Sequence, residues 1–182
     1  MLALKLAAEA HDRDAAIATF ADNIVVRSPI TQRIRFEGID EVRFLFTCVF
    51  EVLSDLEFYE TVGEGERTQV IFWRGRVDGH YLEEANLLRL NADGQIEEMT
   101  VFMRPVPGLL VLVSRLGSAL ARRRGPVRAL AVRWAAGALA LIYRLAEPAI
   151  VALISAGVRV SDTPPPFVAP RALPKGSVVN AQ

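Results

Sequence analysis

The sequence contains very few of the residues that crosslink proteins or bind metals. Cys48 is the single cysteine, and His11 and His80 are the two histidines. One cysteine excludes an intramolecular disulfide and a cysteine zinc cluster. The histidines do not cluster: His11 is expected at a helix end and His80 at a hairpin end. No carboxylate spacing indicates a metal site either. We therefore expect neither a metal nor a cofactor.

The sequence also shows no phosphate-binding loop pattern, and we predict no export signal. Gly63-Glu64-Gly65-Glu66 is acidic and precedes a strand pattern, whereas a phosphate cradle needs a helix N-terminus. The first residues are apolar but have no basic leader, and Glu9, Asp12 and Asp14 interrupt them before a signal-peptide core could form. We predict a protein of the cytoplasm, where a lone cysteine stays reduced.

The charge balances over the whole chain but is unevenly distributed. The formal net charge is zero, yet residues 1–104 carry −8 and residues 105–182 carry +8. The acidic part argues against a nucleic-acid groove, while the basic part suits lipid headgroups or the acidic part itself. No nucleic-acid partner is predicted. Heavy use of arginine and alanine is typical of a GC-rich bacterial genome.

Apolar periodicity predicts an α+β fold in residues 1–105. The predicted elements are two packed helices in 2–21, strands at 23–28 and 32–36, a long helix at 38–53, strands at 56–62 and 68–78, and a hairpin at 79–104. Asp93-Gly94 supplies the positive φ angles that the hairpin turn needs. We expect a curved antiparallel sheet wrapped around the long helix to form a cone, followed by an α-helical C-terminal extension.

Side-chain alternation along the strands defines the residues expected to line this cone. One face of the hairpin carries Leu82, Glu84, Asn86 and Leu88 on its first arm. Its second arm carries Met99, Val101 and Met103 on the matching face, and Ser28 and Trp73 are expected to join them from earlier in the chain. Three arginines are expected on the opposite face, at positions 74, 76 and 89.

Three short runs resemble the SnoaL-like branch of the nuclear transport factor 2 superfamily. They are Phe20-Ala21-Asp22-Asn23 leading into Val26-Arg27-Ser28-Pro29, Phe36-Glu37-Gly38 before a helix, and Leu88-Arg89-Leu90 through Asp93-Gly94-Gln95-Ile96. The resemblance covers residues 1 to about 105. It implies a cone-shaped pocket, found in ketosteroid isomerases, polyketide cyclases, epoxide hydrolases and members with no catalytic role, so the fold alone does not decide the activity.

The resemblance also shows which known chemistries this chain departs from. The isomerase general-base aspartate falls on Ser28, its oxyanion tyrosine on Leu4 and its oxyanion aspartic acid on Asn86. All three are changed, so typical ketosteroid isomerase chemistry is not expected. Limonene epoxide hydrolase is also similar, and Arg76-Val77-Asp78 matches part of its motif. However, Asp78 adjoins a turn, and the second aspartate of that family falls near Val101.

Glu84 is the candidate catalytic residue. In an apolar cone, desolvation would raise the pKa of its carboxyl group toward the range that acid or base catalysis uses. It could instead sit in water at the cone mouth or pair with an arginine. Ligand-binding roles are assigned to the other predicted lining residues, which are Ser28, Trp73, Asn86, Leu88, Met99, Val101 and Met103. Asn86 could equally satisfy a backbone group, and Trp73 could be core.

Two functional interpretations follow for the cone. In the first, it binds a small, largely apolar molecule and acts on it by isomerase, cyclase or hydrolase-like acid/base chemistry. In the second, it belongs to a non-catalytic interaction or membrane-peripheral module, and the cone is structural. An open cavity with converging polar groups would favour the first, and a cavity closed by Phe and Leu side chains the second.

Residues 106–160 form a basic, apolar helical extension in this interpretation, and residues 161–182 a proline-rich tail without periodicity that we expect to be disordered. The best membrane-spanning candidate, Trp134 to Val158, carries Arg144 near its centre, which makes a span the least favoured option. The extension could pack on the cone domain or across a homodimer. Alternatively, residues 109–160 could lie on an anionic membrane surface at the inner face of the membrane.

Overall fold

The computed structural model describes residues 2–63 and 65–154, with six strands and five α-helices among them. In chain order the elements are α1 (Leu2–Glu9), α2 (Arg13–Ile17), β1 (Phe20–Arg27), β2 (Arg35–Glu37), α3 (Ile39–Val52), β3 (Ser54–Val62), β4 (Thr68–Val77), β5 (His80–Leu90), β6 (Ile96–Arg104), α4 (Val106–Ala121), a 3₁₀ turn (Arg122–Arg124) and α5 (Pro126–Ile154). The predicted disordered tail, 161–182, lies outside the described residues, as does the end of the predicted extension.

The long helix of the predicted cone, α3, forms for the expected reasons. Helix α3 begins after Gly38, whose φ of 80° suits glycine. The negative charges of Asp40 and Glu41 in its first turn interact favourably with the positive end of the helix dipole. Its apolar stripe buries Val42, Leu45 and Cys48. Cys48 is a buried free thiol, as predicted. Burial is the main cause that raises the pKa of this thiol, so it stays protonated.

The strands form one curved sheet in the order β2-β1-β6-β5-β4-β3. All pairs are antiparallel except β1 and β6, which run parallel. The predicted all-antiparallel sheet is therefore corrected at one pair. Strands β3 to β6 follow one another as antiparallel neighbours. Strand β1 then pairs with the free side of β6, and β2 forms the edge of the sheet beyond β1. Alternation within a strand carries no information about the direction of its neighbour.

The hairpin of β5 and β6 turns where predicted. Asn91 Oδ1 accepts hydrogen bonds from the backbone N–H groups of Asp93 and Gln95 at 3.0 and 2.9 Å, and Gly94 has φ 78°. This side-chain mimic of a turn fixes the register of both arms. Glu84 is then opposite Met103 on β6. On its other side, the pairing of β4 with β5 places it opposite Trp73.

The core lies between the inner face of the sheet, defined as the face that carries Ile71, Leu88 and Met99, and the helices packed on it. Its larger cluster includes Leu4 of α1, Val42 of α3 and the inner face. Its smaller cluster, at the wide end, consists of Leu53, Trp73, Val77, Leu82 and Leu112. Leu112 belongs to α4, so this first helix of the extension completes the core of the sheet.

Helix α4 is held in close contact with the sheet. A Cβ atom on Gly108 would lie 2.3 Å from the carbonyl oxygen of Tyr81, so only glycine allows this approach. Arg115 pairs with Asp78 and Arg122 with Glu51, while the Arg123 guanidinium lies 3.9 Å from the Phe44 ring centroid. The sequence left open whether the extension packs on the cone domain, on a second copy or on a membrane. Its first helix, α4, packs on the cone domain.

Candidate functional site

The inner face of the sheet carries two buried polar side chains next to each other on β5. Glu84 is 6% exposed and Asn86 is 4% exposed. The strand register places Trp73 and Met103 beside Glu84, and Ile71 and Val101 beside Asn86. Alternation brought these groups together because residues two apart on a strand share a face.

Burial controls the protonation of Glu84. It raises the pKa of this carboxyl to about 8, although side-chain hydrogen bonds with Asn86 and Trp73 favour the charged form and lower it. No arginine is among the causes of this shift. At neutral pH the group is therefore mostly a neutral carboxylic acid, able to donate a proton. The predicted alternatives of a solvated mouth position or an arginine pair do not match its burial and neighbours.

Two oxygen atoms in this pair lack a hydrogen-bond partner among the described residues. They are Oε2 of Glu84 and Oδ1 of Asn86. Buried polar atoms are nearly always hydrogen-bonded, and leaving one without a partner costs roughly 1–3 kcal/mol. The site therefore has hydrogen-bonding capacity that the described part of the chain does not use.

Glu83, the adjacent residue, is also buried but faces the other way. Its carboxylate accepts hydrogen bonds from Arg104 and, at 3.5 Å, from the Tyr59 hydroxyl. Burial, followed by the charge of Glu83, raises the pKa of Tyr59 to about 12. This cluster was not singled out from sequence. Cross-strand pairing of Glu83 with Arg104 was the available signal, but it requires the hairpin register.

Ser28 takes a local role in the structure. It directly follows β1 and is half-buried, and its Oγ accepts a hydrogen bond from the Ile30 backbone N–H at 3.2 Å. Its own N–H donates to the Ile34 carbonyl oxygen. The hydroxyl thus stabilises the turn after β1. The structure brings Trp73 and Asn86 to Glu84, whereas no hydrogen bond joins Ser28 to that group.

The three arginines predicted on the opposite face do lie there. Arg74 pairs with Glu57 at 2.8 Å, Arg76 donates to the Gly79 carbonyl, and Arg89 lies 3.7 Å from Glu98. Asp78 pairs with Arg115 of α4 at the turn. Arg76 and Asp78 therefore form surface contacts, and the partial epoxide hydrolase motif does not assemble on the inner face.

The apolar residues predicted to line the cone are packed into the core. Leu88, Met99 and Val101 are buried in the larger cluster, and Met103 packs against both clusters. Helix α4 covers the wide end, where Leu112 joins Trp73 and Leu116 packs on both clusters. Glu84 and Asn86 thus lie beneath a helical cover of apolar side chains, which is one of the two arrangements left open from sequence.

Two surface clefts, of about 270 and 410 Å³, occur elsewhere on the described chain. The first lies beside α2 and includes Asp14 and Arg43, and the second lies near the loops at Gly65 and Asn91. Neither is lined by a predicted site residue. The covered Glu84–Asn86 pair, and not these clefts, remains the candidate site.

The described residues hold no group of three or more His, Cys, Asp or Glu side chains that could bind a metal ion. His11 contacts Phe50 edge-on, and His80 contacts the Asp78 carbonyl in a turn. Both histidines have the local positions expected from sequence.

Comparison with solved structures finds the same fold in other proteins. An uncharacterised protein with a cystatin-like fold from Silicibacter pomeroyi is 22% identical with a TM-score of 0.61, over 72% of this chain and 90% of that chain. A steroid delta-isomerase from Pseudomonas aeruginosa is 24% identical with a TM-score of 0.57, over 63% and 83%. An NTF-2 like protein of unknown function from Burkholderia xenovorans is 18% identical with a TM-score of 0.51, over 59% and 84%.

No protein-family model matches the sequence, and comparison with curated proteins finds no match. At the identities above, the likeness concerns the fold and does not extend to activity.

Proposed function

We propose that this chain, which has the nuclear transport factor 2-like fold, binds a small, largely apolar molecule with one hydrogen-bonding group at the Glu84–Asn86 pair. The observation that supports this proposal is that each of the two buried side chains keeps an oxygen without a partner among the described residues. The surrounding Trp73, Met103 and Val101 offer apolar contact. A mostly apolar site with a few convergent polar groups is typical of small-molecule pockets.

The chemistry that the site could perform follows from the protonation of Glu84. With a pKa of about 8, Glu84 is an acid at neutral pH and can protonate a ligand oxygen, such as that of a carbonyl or an epoxide. After giving up its proton, it can serve as the base in a later step. Asn86 can hydrogen-bond the same ligand through its side-chain amide. This is acid/base chemistry of the isomerase, cyclase or hydrolase kind, without the residues of a typical ketosteroid isomerase.

Helix α4 packs over the site, so a ligand that enters from this side has to displace it. Leu112 and Leu116 lie over the wide end, and surface ion pairs hold Arg115 and Arg122 to the cone domain. Exposed ion pairs contribute little, roughly 0–1 kcal/mol each, so apolar packing is the main force that a ligand would have to replace. A ligand that fills the space of Leu112 would regain that contact area.

Native mass spectrometry of the full chain as purified tests the proposal. We expect a retained small molecule, a lower retained fraction in Glu84→Leu and Asn86→Leu, and an unchanged fraction in the control Asp93→Asn, which alters an exposed residue of the hairpin turn. Retention that is equal in all four proteins would place the ligand elsewhere and contradict the proposed site.

The second candidate function is a non-catalytic module with a structural cone. The observation that favours it is the closure of the wide end by Leu112 and Leu116. It predicts no retained molecule in any of these proteins.

A further inference from the structure

The outer face of α5 is an extended apolar surface that the described chain leaves uncovered. Among the described helices, α5 is the one long and apolar enough to cross a membrane, and none of its most apolar window is buried. Its 29 residues extend about 43 Å at 1.5 Å per residue. A core helix of a soluble domain would be mostly buried, so this helix needs another explanation.

Besides exposed apolar side chains such as Leu139 and Ile142, six others on α5 form one continuous stripe. They recur every three or four residues, so they share one side of the helix. Trp134 is 72% exposed and Leu145 is 71% exposed. The stripe consists of Val127, Leu130, Trp134, Ala138, Leu141 and Leu145. It contains no charged residue.

Arginines lie along the two borders of this stripe. Helical spacing places Arg128 on one border and Arg133 and Arg144 on the other, and all three are exposed. The acidic residue of α5, Glu147, is half-buried and falls on the side that packs against α4. The apolar face is therefore framed by positive charge, with no negative charge on it.

Contacts along the inner side of α5 hold it antiparallel to α4. The hydroxyl of Ser118 donates to the Ala129 carbonyl at 3.1 Å, and that of Ser114 to the Arg133 carbonyl at 3.4 Å. A Cβ on Gly117 would lie 3.0 Å from the Val132 side chain, so the helices approach closely. Since α4 is packed on the cone, α5 is presented with its outer stripe facing away from the molecule.

We propose that the outer stripe of α5 docks in the plane of an anionic lipid bilayer surface. The apolar side chains would enter the boundary between headgroups and acyl chains, while the bordering arginines extend to lipid phosphates. A transmembrane orientation would carry Arg144 and Glu147 into hydrocarbon and strip α5 from α4. Symmetric pairing with a second copy would bring the arginine borders of both copies together without acidic partners.

Sedimentation of the full chain with vesicles tests this docking. We expect binding to vesicles in which about a third of the lipid is phosphatidylglycerol, weaker binding to phosphatidylcholine alone, and a loss of binding as salt rises. Leu145→Glu should lower the partition coefficient at least about tenfold because a charge replaces an inserted apolar side chain. The control Phe102→Glu replaces another exposed apolar residue, on β6, and should leave binding unchanged.

A second set of variants tests the contribution of the bordering arginines to vesicle binding. Arg133→Gln and Arg144→Gln should each weaken binding to the anionic vesicles about fivefold and leave binding to phosphatidylcholine unchanged. Arg33→Gln, in an exposed loop of the cone domain, is the matched control. Equal effects of all three substitutions would indicate that total charge, and not this face, determines binding, and would overturn the proposal.

Tryptophan fluorescence measures directly whether the stripe of α5 contacts lipid. Trp134 is exposed on the stripe, whereas Trp73 is buried in the cone. Anionic vesicles should shift the emission of the chain to shorter wavelength, brominated lipids should quench it, and Trp134→Phe should abolish both changes while sedimentation persists. A concentration-dependent dimer that Leu145→Glu dissociates, together with no vesicle binding, would instead assign the stripe to a second copy.

Discussion

Glu83 and Glu84 are neighbours in sequence with opposite electrostatic surroundings. Glu83 faces Arg104 and Tyr59, so its buried charge is paired. Glu84 points to the inner face, where desolvation raises its pKa to about 8. The difference arises because strand alternation sends adjacent side chains to opposite faces. At this scale, the same residue type gives a structural ion pair at one position and a candidate proton donor at the next.

The pKa of Glu84 makes stability depend on pH. The folded chain favours the neutral form, so ionisation above the ordinary pKa of 4.5 costs stability progressively until about pH 8, where the folded form also ionises. We expect Glu84→Gln to remove a loss on the order of 5 kcal/mol across this window. Asp93→Asn in the exposed hairpin turn is the control and should keep it. Urea unfolding at several pH values measures the difference, and identical pH profiles for Glu84→Gln and the parent would contradict the assignment.

Most of the inner-face residues could be predicted from sequence. Alternation placed Trp73 and Glu84 on the same face of the sheet, and both are buried. The turn role of Ser28 could not be predicted, because it depends on the path of residues 28–34 after β1. The pairing of Glu83 with Arg104 was missed because it depends on the β5–β6 register, which shifts at an irregularity between Arg89 and Leu90.

At the scale of elements, α4 determines whether the cone is open. Its apolar composition predicted that the helix would be buried, but not against which surface. Hydrophobic periodicity identifies the apolar face of a helix and does not identify the element that packs on that face. Leu112 enters the cluster of Leu53, Trp73 and Leu82 and so converts an open cone into a covered one. The parallel β1–β6 pair was missed for the same reason, because it depends on how distant elements meet.

The cover formed by α4 can be tested by truncating one side chain. Leu112 is 2% exposed, and Leu112→Ala should destabilise the chain by roughly 2–5 kcal/mol through lost burial and a cavity beside Trp73. Leu130→Ala, at a 55% exposed position on α5, should change stability by no more than about 0.5 kcal/mol. Chemical denaturation followed by Trp73 emission measures both. A small effect at Leu112 would mean that α4 does not cover the site in solution.

At the scale of the whole molecule, an acidic cone carries a basic helical hairpin. The charge division predicted that the two parts could attract each other, and Arg115–Asp78 and Arg122–Glu51 are such pairs. The nuclear transport factor 2-like fold predicted for residues 1–105 is confirmed by the structural comparisons. The boundary at residue 105 remains a prediction, and α4 beyond it shares a core with the cone. Composition alone could not separate α4, which is packed on the sheet, from α5, which presents its apolar stripe outward.

The central claim is that Glu84 is a buried, uncharged acid beneath α4 at neutral pH, available to a ligand. A carbon-13 NMR titration of glutamate side-chain carboxyl groups in the full chain, with the Glu84 signal assigned from Glu84→Gln, tests it most directly. The account predicts a midpoint near pH 8 for Glu84. A midpoint at or below about 4.5, the range of a solvated or cation-paired glutamate, would contradict it.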